Sequence, residues 1–252
     1  MLPIRDTIPR RNPPIVTWSL ILINSVIFVF ELAMSQYVLE HFFYRFGLVP
    51  ARYTHPQWAQ LVGLPVDDYF PFLTNMFLHG GWMHIISNMW ALWIFGDNVE
   101  DRMGPVRFLI FYVLCGLGAG FVHWFTNPYS TVPAVGASGA IAGVMGAYFV
   151  LFPHSRIIVL LPILFLPFFF ELPAVIYLGV WIFTQFVSGT LSLLSPTDVG
   201  GIAWWAHVGG FTTGVLLHFV FVKRGDRYRQ PARDEYGWEA AWVPVRHWRN
   251  YR

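Results

Sequence analysis

Ser138, His207, His84 and Asn88 are the residues of this chain whose types could do chemistry together. A serine hydroxyl is a poor nucleophile until a neighbouring base takes its proton, and an imidazole is the common base. His84 and Asn88, at i and i+4, share one face of a helix and can aim two hydrogen bonds at one point. Two convergent donors are what a developing oxyanion requires. Taken singly, each residue has a plainer reading: a helix-start serine, a hydrogen-bonded structural histidine, a packing amide. Only a fold that brings three separate segments to one place turns them into a site.

The elements that must do this are membrane helices. Of 252 residues, 56% are hydrophobic and 12% charged, against about 25% charged in an ordinary soluble domain. The same figures exclude a disordered chain. Cys115 is the single cysteine, so no internal disulfide framework exists. A net charge of +2, with no basic domain, argues against a nucleic-acid partner. The expected fold class is an all-α polytopic membrane protein with six transmembrane helices.

Apolar windows fall at 16–34, 81–96, 106–125, 137–152, 171–189 and 203–222. Residues 157–170 carry Pro162 and Pro167, with Pro173 just beyond, and cannot continue a straight helix. They are expected to form an irregular or hairpin segment near the interface. Of the 16 Lys and Arg, only Arg45 and Arg52 fall on one side of this arrangement. The positive-inside rule then puts both termini in the cytosol. The chain divides into a cytosolic segment 1–14, a six-helix domain 15–223 and a basic tail 224–252. No cleavable signal peptide is expected at the first span. The aromatic-rich outer loop 36–80 suits the outer leaflet, and the tail with Trp238, Trp242 and Trp248 suits either the inner leaflet or water.

With this topology the second, fourth and sixth spans begin on the outer side. At 1.5 Å per residue, Ser138, His207, His84 and Asn88 all lie within about 10 Å of the outer mouth. Ionisable and amide residues in membrane helices are functional candidates by default. Gly139 and Gly143 on the fourth span, and Gly210 and Gly214 on the sixth, allow the close helix approach that a serine needs to reach an imidazole. His79, His84 and Asn88 have no second carboxylate or histidine pair at ligand spacing, so no metal is expected. His123 and His218 are read as structural, and Glu31 and Glu171 as interfacial.

The motifs His79-Gly-Gly-Trp-Met-His84-Ile-Ile-Ser-Asn88, Gly136-Ala-Ser138-Gly139 and Ala206-His207-Val-Gly-Gly210-Phe-Thr-Thr-Gly214 resemble those of the rhomboid intramembrane serine proteases, over roughly residues 15–223. The resemblance implies Ser138 as nucleophile and His207 as base, with His84, Asn88 and the Ser138 backbone amide as oxyanion donors. Gly136, Gly139, Gly210 and Gly214 would be packing residues near the site. It also implies cleavage of transmembrane segments of other, single-pass membrane proteins near the outer face of the bilayer. No cofactor or metal is involved, and a prokaryotic cell membrane is the expected location. Two positions depart from the family pattern. Phe70 and Pro71 stand where a Trp-Arg pair is frequent, and Ala142 stands where an aromatic often stacks on the histidine. Asp198 lies in a nearby outer loop, but nothing places it behind His207, so a Ser-His dyad is expected. The rival reading is a silent relative that binds membrane helices without cutting them. Such relatives usually lack the serine or the histidine. A small-solute transporter is the third, and it would favour broken helices at the midplane.

Overall fold

In the computed structural model of the chain, residues 2–9, 11–163, 166–194 and 203–223 are described. Strand β1 (Leu2–Asp6) leads to α1 (Ile15–Leu32). The long loop that follows holds α2 (Gln36–Phe46), α3 (Ala51–Thr54), α4 (Pro56–Leu61), α5 (Pro71–Thr74) and a 3-10 turn, Asn75–Phe77. There follow α6 (Trp82–Met103), α7 (Pro105–Thr126) and α8 (Ser138–Leu151). The hairpin β2 (Arg156–Ile163) and β3 (Leu166–Pro173) precedes α9 (Ala174–Leu194) and α10 (Trp204–Phe221).

Helices α1, α7 and α9 are long and apolar enough to cross a membrane by themselves. Helices α6 and α10 are diluted by polar residues: α6 ends in Asp97, Glu100, Asp101 and Arg102, and α10 carries His207, His218 and three glycines. Helix α8 has 14 residues, about 21 Å at 1.5 Å per residue, against ~30 Å of hydrocarbon. It forms the middle of the molecule. Every residue from Gly139 to Tyr148 is buried, with α6, α7 and α10 packed around it.

The α8–α10 approach depends on missing side chains. A Cβ on Gly210 or Gly214 would overlap the carbonyl oxygen of Gly139 or Gly143, and one on Gly146 would overlap that of Phe211. Such backbone-to-backbone contact is the small-residue packing of membrane helices. The turn between α6 and α7 uses Gly104, at φ +82, followed by Pro105 at the first helical position.

The all-α expectation needs correction. Strands β1, β2 and β3 form one antiparallel sheet with β2 in the centre. Register runs from Leu2↔Leu160 to Asp6↔Ile157, and from Arg156↔Pro173 to Ile163↔Leu166. Proline breaks helix in 157–170, and the β-branched and aromatic residues between the prolines favour strand. The fifth long helix therefore starts at Ala174, after Pro173, and Glu171 lies in β3, where it pairs with Arg156 at 3.8 Å. The N-terminal segment is tied in as well. Asp6 accepts hydrogen bonds from Tyr148 Oη on α8 and from Asn98 Nδ2 on α6, both at 2.6 Å. Burial pushes its carboxyl up to about 8.

Two devices hold the first helix and the long loop after it. Glu100 of α6 accepts from the Val16 and Thr17 backbone amides and from Thr17 Oγ1, at 2.8–2.9 Å, and so caps the start of α1. In that loop, the fully buried Arg52 donates to Pro65 O (2.6 Å), Arg45 O (3.4 Å) and the Asp68 carboxylate (3.1 Å). This guanidinium anchors the loop without the Trp-Arg pair. Leu48 and Ala134 exchange backbone hydrogen bonds, and Gly136 N donates to Asn75 O at 2.8 Å. The α1–α6 loop thus sets the backbone that delivers Ser138.

Candidate active site

Ser138 is the first residue of α8, where the helix's opening amides are left without intrahelical partners. The chain reaches it through Gly136, at φ +132, a conformation that favours glycine. A Cβ there would also strike the His84 ring at Nε2. Gly136 is therefore doubly constrained, and its bare backbone lets His84 lie beside the serine.

His84 sits at the start of α6. Its Nδ1 receives the Gly80 backbone N–H at 3.4 Å, so the ring proton is carried on Nε2, the atom that faces Gly136. One turn on, Asn88 is buried, and its Nδ2 has no hydrogen-bond partner among the described residues. Buried donors are nearly always paired, and this one lines the same cleft as Ser138, where an arriving oxygen can accept from it.

His207 occupies the first turn of α10. Its Nε2 is 2.8 Å from Ser138 Oγ and its Nδ1 is 2.7 Å from Gln185 Oε1, on α9. An amide oxygen only accepts, so Nδ1 carries the proton and Nε2 is free to take the serine's. Trp181, one turn before Gln185, lies against the imidazole with ring centroids 5.8 Å apart and planes at 35°. It supplies from another helix the aromatic that Ala142 lacks.

All four sequence candidates meet at one place. They line a cleft of about 1430 Å³ between α6 and α9, walled by Trp82, Met83, Trp90, Tyr177 and Trp181. Three other residues differ from the sequence reading. His123 lines this cleft and a second, smaller cavity beside Ser138, together with Asn75 and Ala206. Residue 123 lies near the Thr126 end of α7, the same end at which α8 begins, and that was the overlooked signal. Glu31 is buried rather than interfacial, and both its oxygens receive the His79 backbone N–H at 3.2–3.3 Å, fixing the turn into α6. Gln185 was missed because an amide in an apolar run carries no motif. Asp198 and the tail from 224 lie outside the described residues. Among those described, no three His, Cys, Asp or Glu side chains cluster to hold a metal.

The rhomboid domain family matches residues 66–224, which contain Ser138, His207, His84, Asn88 and Gln185. The chain belongs to the rhomboid family. Rhomboids are generally intramembrane serine proteases, although some relatives are inactive. "Rhomboid-like protein 11, chloroplastic" of Arabidopsis thaliana is 33% identical over 122 residues, covering 48% of this chain and 39% of that one. "Rhomboid protein 1, mitochondrial" of Saccharomyces cerevisiae is 30% identical over 171 residues, covering 66% and 45%. "Rhomboid protease GluP" of Bacillus subtilis is 39% identical over 80 residues, covering 32% and 15%. In each case the match spans less than half of the relative's length. Rhomboid membership makes this a multi-pass membrane protein of a hydrolase family.

Proposed function

We propose that this rhomboid is an active endopeptidase that cuts transmembrane segments of single-pass membrane proteins near the outer face of the cell membrane. The observation that carries the reading is the 2.8 Å approach of His207 Nε2 to Ser138 Oγ. In the first step Ser138 Oγ attacks the scissile carbonyl carbon while its proton passes to His207 Nε2. The oxyanion is stabilised at the start of α8 by the Ser138 amide, His84 Nε2–H and Asn88 Nδ2–H, where the helix dipole also favours negative charge. The tetrahedral intermediate collapses as the imidazolium protonates the leaving amine, and water repeats the sequence on the acyl-enzyme. The cleft admits that water and an unwound stretch of substrate. Six spans, both termini cytosolic and the partition 1–14, 15–223, 224–252 complete the proposal.

Purified protein incubated in detergent with a panel of single-span membrane proteins is expected to give discrete cuts near their outer ends. No cut in any of them would leave the silent, helix-binding reading.

The oxyanion role has its own signature. Asn88→Ala is expected to lower kcat by about 10²–10³-fold with KM near wild type. Its melting temperature should hold or rise, since a buried donor without a partner is removed. A lower melting temperature with kcat preserved would make Asn88 a structural residue.

Topology is tested with added cysteines. Tyr129→Cys, in the exposed loop before α8, should react with an impermeant thiol reagent applied to intact cells. His154→Cys, in the exposed turn after α8, should react only after lysis. The reverse pattern would invert the orientation.

A further inference from the structure

We infer that Gln185 is the third member of the site, a positioning residue that selects the working tautomer of His207 and holds the imidazolium during proton transfer. The inference rests on the serine-histidine reading above, but extends it beyond a dyad.

The geometry is closed on every side. Gln185 is 6% exposed, and its Nε2 donates back to Trp181 O at 3.4 Å and to Thr184 Oγ1 at 3.2 Å, both on its own helix. With its amino group spent locally, the amide is fixed in one orientation and presents Oε1 to His207 Nδ1 at 2.7 Å. A neutral imidazole has one ring proton, and the acceptor at Nδ1 keeps it there. Nε2 is left with its lone pair towards Ser138 Oγ. Without the acceptor, the tautomer protonated at Nε2 becomes available. That form cannot take the serine's proton.

Helix α9 does more than supply the amide. Trp181 and Gln185, at i and i+4, present an aromatic face and an acceptor to the same ring. The helix is itself tied to α10, since Trp205 Nε1 donates to Gly189 O at 3.0 Å and Phe186 packs edge-on against Trp205. Among the described residues, the titratable groups that act on His207 are His84 and His123, and the Nδ1 partner is Gln185. When Ser138 attacks an electrophile, its proton passes to Nε2, and the Nδ1–H keeps its bond to Gln185 Oε1 throughout.

A fluorophosphonate probe reads this without a natural substrate. The Oγ–P bond forms, the P–F bond breaks, fluoride leaves, and the serine proton passes through His207 Nε2 to water. Gln185→Leu and Gln185→Ala are expected to slow the limiting labelling rate at least tenfold, the cost of one buried hydrogen bond. The half-saturating probe concentration should stay unchanged. Gln185→Glu keeps an oxygen acceptor and should stay within a few-fold of wild type. Nitrogen NMR of the histidine rings should show His207 protonated at Nδ1 in wild type and a tautomer mixture in Gln185→Ala. Wild-type labelling rates in both apolar variants would overturn the inference, as would an unchanged tautomer. Equal losses in the Ala and Glu variants with a lowered melting temperature would overturn it too, leaving a packing role. A wild-type protein that labels and cuts nothing would instead sink the protease reading alone, because tautomer and labelling still judge Gln185.

Discussion

Ser138→Ala and His207→Ala are each expected to abolish cleavage, a loss of about 10⁴-fold or more, while the protein stays folded. The magnitude follows from the division of labour at the site: one atom attacks and one atom accepts the proton, and they meet at 2.8 Å. Removing either stops the same step. The double variant should therefore be no worse than the singles, since residues acting as a unit are strongly non-additive. Residual cleavage in Ser138→Ala above a no-enzyme control would remove the serine mechanism. Labelling by a serine-directed probe in that variant would place the nucleophile elsewhere. The fold should survive both changes because Ser138 is half-buried at a helix start and the Ala side chain fits inside the space of either residue.

Gly210→Val and Gly214→Val should be nearly as damaging, for a different reason. Here the side chain has no place to go: the first added carbon already overlaps the Gly139 or Gly143 carbonyl on α8. The helices must separate, at a cost at or above the upper end of the ~1–3 kcal/mol usual for overpacking. Any separation also carries His207, on α10, away from Ser138, on α8, and a displacement of ~1 Å can cost about 10²-fold in rate. Both the melting temperature and kcat are expected to fall. Gly179→Ala on α9 is the contrast, since its nearest neighbour would be 3.9 Å away. That change should leave activity intact and the helix slightly more stable. Retained activity in Gly210→Val would mean that the two helices are not locked as described.

What could be read from the residues alone was set by how each signal is written. Apolar length is one-dimensional, so the long helices start within about three residues of the apolar windows, although α6 runs seven residues past its window, from Asp97 to Met103. The Gly-x-Ser-Gly start, the two histidines and Asn88 lie in local motifs and were legible too. Strand formation at 156–173 was half-visible, since the prolines exclude helix but do not name the partner strand, which comes from Leu2–Asp6 some 150 positions away in pairing. Gln185 and Trp181 were illegible for the same reason. Their meaning lies in which face of α9 turns towards α10, and an apolar helix with a weakly patterned surface does not announce that. In the sequence Arg52 stands out only as one of two arginines, with Arg45, in the segment 36–80. Only the folded loop reveals it as a buried tie between Arg45, Pro65 and Asp68.

Among the described residues Asn88 Nδ2 has no protein partner, and a buried hydrogen bond left unmade costs about 1–3 kcal/mol. Selection for stability alone would have put an apolar side chain there. The unmet bond is recovered only when an oxygen arrives in the cleft, so affinity and stability become linked through one amide. Compounds that place a carbonyl or an anionic oxygen at that spot recover energy the free protein left unrealised. They should therefore bind more tightly, and raise the melting temperature more, than apolar analogues of equal size. A reserve kept for the transition state is, on the same physics, an opening for the inhibitor designer.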